Sequence, residues 1–134
     1  MTQFYKTFFE QEVDRIMKDH ALPEHYYTYI RQSRTFMEKC YGDKIELDKI
    51  AAAAFMSRFH YIRIFQQVYG RTPRQYLRDL RIEKAKELLK TGLSVTGVCT
   101  EVGYESVPTF SNVFKKGTGH SPKAYQQMNI SNRE

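Results

Sequence analysis

Residues 57–76, SRFHYIRIFQQVYGRTPRQY, recur in altered form in the second half of the chain. The pattern Phe65-x4-Gly70-x-Thr72-Pro73-x2-Tyr76 returns as Phe114-x4-Gly119-x-Ser121-Pro122-x2-Tyr125. In each copy an amphipathic helix runs to a glycine, which can adopt the left-handed conformation that closes a helix C-terminus. A new helix then begins with a hydroxyl N-cap and a proline in its first position, where no amide hydrogen is needed. The sequence therefore predicts an internal duplication.

A second shared pattern precedes each copy. Apolar residues at helical spacing lead into a short turn, first as Leu47, Ile50, Ala51 and Ala54 before Phe55-Met56-Ser57, then as Val95, Val98, Cys99 and Val102 before Gly103-Tyr104-Glu105-Ser106. A short helix, a tight turn and a second helix form a helix-turn-helix, whose second helix fits the DNA major groove. The sequence predicts two such units, with reading helices near residues 57–69 and 106–117.

The flanking segments also have helical patterns, so we expect an all-α fold of two helix-turn-helix subdomains joined by a long connecting helix. Residues 1–42 are predicted to form an N-terminal helical extension and the first helix of the DNA-binding domain, broken at Pro23. Residues 43–72 form the first unit, 73–92 the connecting helix, 93–128 the second unit with a closing helix to about Met128, and 129–134 a tail. An apolar stripe in residues 3–20 is expected to pack on the protein's own helices, or alternatively on a second copy in a homodimer; it comprises Tyr5, Phe9, Val13, Ile16 and Met17.

Composition and charge favour a folded nucleic-acid binder. The 134 residues carry a formal net charge of +6, which suits an anionic partner. The basic residues alternate with apolar ones on predicted helices and do not form a tail. No apolar run approaches membrane-spanning length and no signal peptide is evident, so we expect a cytoplasmic protein without a membrane partner. Cys40 and Cys99 are expected to be small core residues, with a disulfide or sensor pair as the alternative.

These motifs resemble the DNA-binding domain of the AraC/XylS family of bacterial transcription regulators. The resemblance covers about Ile45 to Tyr125 and includes Leu47-x2-Ile50-Ala51, Met56-Ser57-Arg58, Phe65, Gly70, Thr72-Pro73-x2-Tyr76-Leu77, Arg81-Ile82-x2-Ala85-x2-Leu88-Leu89, Val102-Gly103-Tyr104, Phe110-Ser111, Val113-Phe114-Lys115-Lys116 and Gly119-x-Ser121-Pro122-x2-Tyr125. It implies two reading helices in successive major grooves, held about 34 Å apart by the connecting helix.

The resemblance also defines what is unusual here. Larger family members carry an effector or dimerisation domain, for which this chain has no room, so it resembles a short stand-alone member or an excised domain. Phe55 stands where the family usually has glycine, from which we expect a first turn without a left-handed residue at this position. Val107 and Pro108 stand where many members have polar side chains.

Candidate DNA contacts follow from the two reading helices. In the first, Arg63 is the best candidate for a bidentate contact to guanine, with a phosphate contact or a solvated charge as the alternatives. In the second, Asn112 occupies the repeat position of Arg63 and could read adenine, with a phosphate or water contact as the alternative. The full set of candidate base contacts is Arg58, Phe59, Ile62, Arg63, Gln66, Ser106, Thr109 and Asn112.

Other basic residues are assigned different roles. Phosphate contacts are expected from Arg74, Lys115, Lys116 and Lys123, together with the amides at the helix starts near Pro73 and Pro122. Arg81 lies beside core positions of the connecting helix. We expect it to form a structural ion pair with an acidic side chain.

The sequence shows no pattern typical of catalysis. The four histidines are scattered, and neither metal-ligand spacing, a nucleophile with its base nor a phosphate loop appears. We therefore expect no enzyme activity, metal or cofactor. The expected function is sequence-specific binding of double-stranded DNA to regulate transcription, by recruiting or blocking RNA polymerase. The alternative is a helical protein-interaction module that has kept the fold without DNA specificity.

Overall fold

The computed structural model describes residues 24–131, which form seven helices and no strand. The predicted all-α fold is confirmed, with two helix-turn-helix units joined by a long helix. The stripe predicted in residues 3–20 and residues 132–134 of the predicted tail lie outside the described residues. The helices are α1 (Glu24–Lys39), α2 (Leu47–Ala53), α3 (Arg58–Tyr69), α4 (Pro73–Lys90), α5 (Val95–Glu101), α6 (Val107–Thr118) and α7 (Pro122–Ser131).

Helix boundaries in the repeated segments follow the predicted signals. Gly70 and Gly119 end α3 and α6 with φ angles of 73° and 84°, in the left-handed region. Thr72 then begins α4 with a capping box, because its hydroxyl accepts from the Gln75 amide and the Gln75 side chain accepts from the Thr72 amide. The last helix extends to residue 131, beyond its predicted end near Met128, so the predicted tail begins later.

Each unit has its own hydrophobic core. The helix α1 contributes Ile30 and Met37 to the first core, beside Tyr61, Ile64 and Phe65 of α3. The connecting helix α4 contributes Ile82, Ala85 and Leu89 to the second core, which is completed by Val98, Cys99, Val102, Phe110 and Phe114. The first turns of α4 face the other way, since Tyr76 and Leu77 pack against the first core. The connecting helix is therefore a structural part of both units.

The two helix-turn-helix turns share one backbone conformation, and this overturns the expectation for Phe55. Phe55 has φ 56° and its repeat equivalent, Gly103, has φ 90°. In the first turn the Met56 amide donates to the Ala51 carbonyl (3.0 Å) and the Phe55 amide to the Ala52 carbonyl (3.0 Å); the amides of Tyr104 and Gly103 make the same two bonds in the second. These bonds define a Schellman motif, which requires a left-handed residue whatever its side chain. The Phe55 side chain is fully exposed, so it meets no steric obstacle.

Arg81 joins the two units at the middle of α4. Its Nε donates to the Tyr41 carbonyl oxygen (2.7 Å) and its Nη2 to the Asp43 carbonyl oxygen (3.0 Å). The guanidinium carbon lies 5.4 Å from the centroid of the Tyr104 ring in the second turn. The expected ion pair with an acidic side chain is therefore wrong, because backbone carbonyls of the loop before α2 take that place.

Two glycines allow the units to meet closely at Arg81. A Cβ on Gly42 would overlap the Glu101 carbonyl oxygen, so only glycine fits at this position. A Cβ on Gly103 would lie 2.9 Å from Arg81 Nη2 and 3.0 Å from the Gly42 carbonyl oxygen. The loop at residues 41–43 directly precedes the first helix-turn-helix, whereas Gly103 lies in the turn of the second helix-turn-helix. Close packing between them therefore fixes one unit against the other.

Candidate nucleic-acid interface

The first reading helix, α3, is anchored by one face and presents the other to solvent. Tyr61 is buried and its hydroxyl donates to Ser33 Oγ (2.8 Å), while burial raises the pKa of Tyr61 to about 12. The candidate base contacts lie on the outer side of this anchor. Arg58, Phe59 and Gln66 are exposed, and Ile62 and Arg63 are half-buried.

Three interactions act on the polar side chains of α3: a cation–π contact, an electrostatic effect on a histidine and an ion pair. The Arg63 guanidinium carbon lies 4.8 Å from the Phe59 ring centroid, one helical turn away, which limits the orientations of the arginine. Burial, and then the Arg63 charge, lower the pKa of His60, which keeps its imidazole neutral at physiological pH. Arg58 Nε lies 3.7 Å from the Asp48 carboxylate in an exposed ion pair. Such pairs contribute about 0–1 kcal/mol, so a phosphate can replace the carboxylate at little cost.

The second reading helix, α6, presents a shorter set of polar groups. Phe110 and Phe114 anchor it in the second core. The Ser106 hydroxyl accepts from the Thr109 amide (3.3 Å) and donates to Thr109 Oγ1 (2.8 Å), so the serine serves as the N-cap of the helix. Thr109 and Asn112 are exposed. Of the three predicted base contacts, Ser106 therefore also has a structural role, which its position just before Val107-Pro108 could have indicated.

The predicted phosphate contacts are all exposed. Arg74 and Lys123 follow the prolines that begin α4 and α7, so they occupy equivalent places in the two repeats. Amides at a helix start and a nearby cation both attract phosphate oxygens. Lys115 and Lys116 lie in the last turn of α6.

Two adjoining clefts extend between the reading helices. One, of about 760 Å³, is lined by residues of both units, among them Lys44, Arg78, Thr109 and Val113. The other, of about 470 Å³, reaches Arg58 at the start of α3. Both are lined by Ile45, Arg74 and Leu77, so together they form one continuous groove. Lys44 and Arg78 were not among the predicted contacts, although Arg74 and Arg78 lie four residues apart on one helix face.

Residues 24–131 contain neither a group of metal-ligating side chains nor a membrane-spanning helix. Within residues 24–131, no three His, Cys, Asp or Glu side chains are grouped as metal ligands would be. None of the helices described is both long and apolar enough to cross a membrane. Cys99 is buried in the second core and Cys40 is half-buried at the end of α1.

Comparisons with known proteins agree with this geometry. A family model described as a helix-turn-helix domain matches residues 50–128. The chain is 38% identical over 93 residues to the MmsAB operon regulatory protein of Pseudomonas aeruginosa, covering 69% of this chain and 30% of that protein. It is 30% identical over 94 residues to AdaA of Bacillus subtilis, a bifunctional transcriptional activator and DNA repair enzyme, covering 69% of this chain and 44% of that protein.

A solved structure extends the likeness to three dimensions. The DNA-binding domain of AdpA, a global transcriptional factor determined in complex with a target DNA, has a TM-score of 0.73 and 28% identity, covering 78% of this chain and 95% of that domain. By contrast, the chain spans less than half the length of the two curated relatives named above.

Proposed function

The chain belongs to the AraC-type helix-turn-helix family, and from that premise we propose that it binds double-stranded DNA sequence-specifically and regulates transcription. The observation that carries the proposal is the repeated unit. Two reading helices, each anchored by buried aromatics, open onto one groove that contains basic side chains. Two such helices held by one connecting helix can enter successive major grooves about 34 Å apart, so one chain does the work of a helix-turn-helix dimer.

Each predicted contact has a proposed role. Arg63 donates in bidentate fashion to guanine, and Phe59 and Ile62 contact thymine methyl groups, with Arg58 and Gln66 beside them. Asn112 reads adenine in the second groove, next to Thr109 and Ser106. Sequence-independent affinity comes from phosphate contacts, made by Arg74, Lys115, Lys116 and Lys123.

Bound to its site, the protein acts on transcription by recruiting RNA polymerase or by blocking its access. A homodimer formed through the apolar stripe of residues 3–20 would join two bound chains. Deletion of residues 1–22 tests this part: the oligomeric mass should fall if the stripe joins two copies. An unchanged mass contradicts the homodimer and leaves DNA binding by one chain intact.

Selection of bound sequences from a random DNA pool tests the central proposal. We expect one preferred sequence with two readable segments separated by about one DNA turn. With about six phosphate contacts, affinity for that sequence should fall roughly a thousandfold between about 50 and 200 mM salt. A pool that shows no enrichment, together with binding insensitive to salt, would instead favour a protein-interaction module.

A further inference from the structure

The continuous groove between the reading helices contains more positive charge than the predicted contacts account for. The larger cleft is lined by Lys44, Arg74 and Arg78, and by Arg81 at the contact between the units. Glu105 is the carboxylate that lines the same cleft, and the carboxylates of the smaller cleft, Glu46 and Asp48, lie against Lys49 and Arg58. Lys44, Arg74 and Arg78 are exposed, so their charges can reach an anion outside the protein.

Neighbouring carboxylates leave most of this charge uncompensated. Arg78 lies 3.4 Å from the carboxylate of Asp79, but Arg71 holds the same carboxylate at 2.7 Å. One carboxylate is thus shared by two guanidinium groups. Arg81 is different, because the Tyr41 and Asp43 carbonyls and the Tyr104 ring occupy its guanidinium. The groups left to meet a ligand are therefore Lys44, Arg74 and Arg78.

The groove opens on the same side as the reading helices. Thr109, in the first turn of α6, lines the larger cleft, and Arg58, the first residue of α3, lines the smaller one. In helix-turn-helix proteins the N-terminal residues of the reading helix meet the base edges. DNA that meets both helices would therefore pass across this groove.

The geometry of B-DNA defines what would lie there. When two successive major grooves face a protein, the stretch between them presents the minor groove, bordered on each side by a sugar-phosphate strand. We propose, resting on the proposed function, that the cleft binds the phosphates between the two readable segments, through Lys44 and Arg78 together with Arg74. These cations then contribute affinity without base preference. They bind DNA phosphates that lie between the segments contacted by the two reading helices.

The test compares charge-neutralising substitutions on the full chain. Lys44→Gln and Arg78→Gln are made singly and together, and Lys90→Gln serves as the matched control. Lys90 is an exposed cation on the same helix as Arg78, roughly 18 Å further along its axis at about 1.5 Å per residue. Binding to the selected duplex is measured across a salt series, with thermal melting to verify that each variant is folded.

We expect each cleft substitution to make the slope of log K against log salt shallower by about 0.9, and the double substitution by about twice that. The base preference should not change, and Lys90→Gln should bind like the original protein. Glu105→Gln should strengthen binding, because it removes the negative charge that lines the cleft. A double variant with the same slope as Lys90→Gln would overturn the inference.

Neutral methylphosphonate linkages locate the contact on the DNA. Placed between the two readable segments, they should weaken the original protein more than the double variant, which keeps Arg74 as its one remaining proposed contact with these phosphates. Equal weakening of both proteins would also overturn the inference. If the original protein has no preferred sequence, the proposed function fails together with the inference. If the original protein has a preferred sequence but the cleft variants bind it like Lys90→Gln, the inference alone fails.

Discussion

Phe55 keeps a left-handed backbone while its ring is fully exposed to solvent. A non-glycine residue in that conformation costs about 1–2 kcal/mol, and an exposed ring recovers none of it by packing. A glycine at this position would remove that cost, but part of the gain in stability is offset because glycine loses more backbone entropy on folding. We therefore expect Phe55→Gly to raise the free energy of unfolding by about 1 kcal/mol, measured from the denaturant midpoint.

Gly103→Ala at the equivalent turn serves as the contrast to this substitution. Its Cβ would meet Arg81 Nη2 and the Gly42 carbonyl oxygen at 2.9 and 3.0 Å, in a backbone with φ 90°. Strain and crowding together should lower stability by about 2 kcal/mol or more. A destabilising Phe55→Gly would show that the exposed ring makes a contact that the folded chain depends on.

Arg63 and Arg74 are expected to differ in the kind of binding that they support. Arg63→Ala should cost about 1–3 kcal/mol and relax preference within one segment of the site, because a bidentate contact to guanine discriminates against other bases. Arg74→Ala should weaken binding to all sequences about equally. Affinities of both variants for the preferred site and for single-base replacements give the measurement. If both variants weaken every sequence to the same degree, Arg63 contacts phosphate.

At the scale of the helices, α3 and α6 share an anchoring pattern but differ in the side chains they present. The helix α3 offers long donors, Arg58, Arg63 and Gln66, whereas α6 offers Thr109 and Asn112 and uses Ser106 as its cap. Long charge-assisted donors discriminate bases better than short hydroxyls do. We expect a strong base preference under α3 and a weak, shape-dependent preference about one DNA turn away. Base-by-base substitution of the site, repeated with Asn112→Ala, measures both; a sharper half that maps to Asn112 would reverse the assignment.

The sequence was sufficient to predict these elements because their signals are local. A glycine stop, a hydroxyl cap and a proline lie within a few residues of each other, and they set the boundary between α3 and α4 and again between α6 and α7. The partners of Arg81 could not be predicted in this way. Its two carbonyl acceptors precede it by 40 and 38 residues, and any residue type can supply a carbonyl. The prediction for Phe55 is wrong because the hydrogen bonds of the turn require a left-handed residue, which outweighs the preference of a phenylalanine side chain against that conformation.

At the scale of the whole molecule, Arg81 is expected to set how the two reading helices are spaced. Arg81→Lys keeps the charge, but an ammonium cannot reproduce a planar fork that reaches two carbonyls and stacks on Tyr104. Hydrogen bonds to charged groups contribute about 1.5–3 kcal/mol, so stability should fall by about that amount. We also expect a smaller penalty when one base pair is inserted between the two segments of the site, because the units are less firmly held together.

Binding to the original and the lengthened duplex measures this spacing penalty, and Lys90→Arg, which keeps the charge at an exposed position on the same helix, provides the control. That control should keep both the stability and the full penalty. If Arg81→Lys and the control reject the lengthened duplex equally, α4 alone holds the spacing.

The contact between residues 41–43 and the second turn also bears on how such proteins can be recombined. A chimera that exchanges everything after Gly70 would give the incoming Arg81 foreign carbonyl partners, and Gly103 a foreign backbone to fit. The transplantable piece is therefore discontinuous, and it consists of the second half together with a three-residue loop from the first. The same contact constrains evolution. A change in residues 41–43 must be matched by a change in the second turn, so the divergence of one repeat is coupled to that of the other.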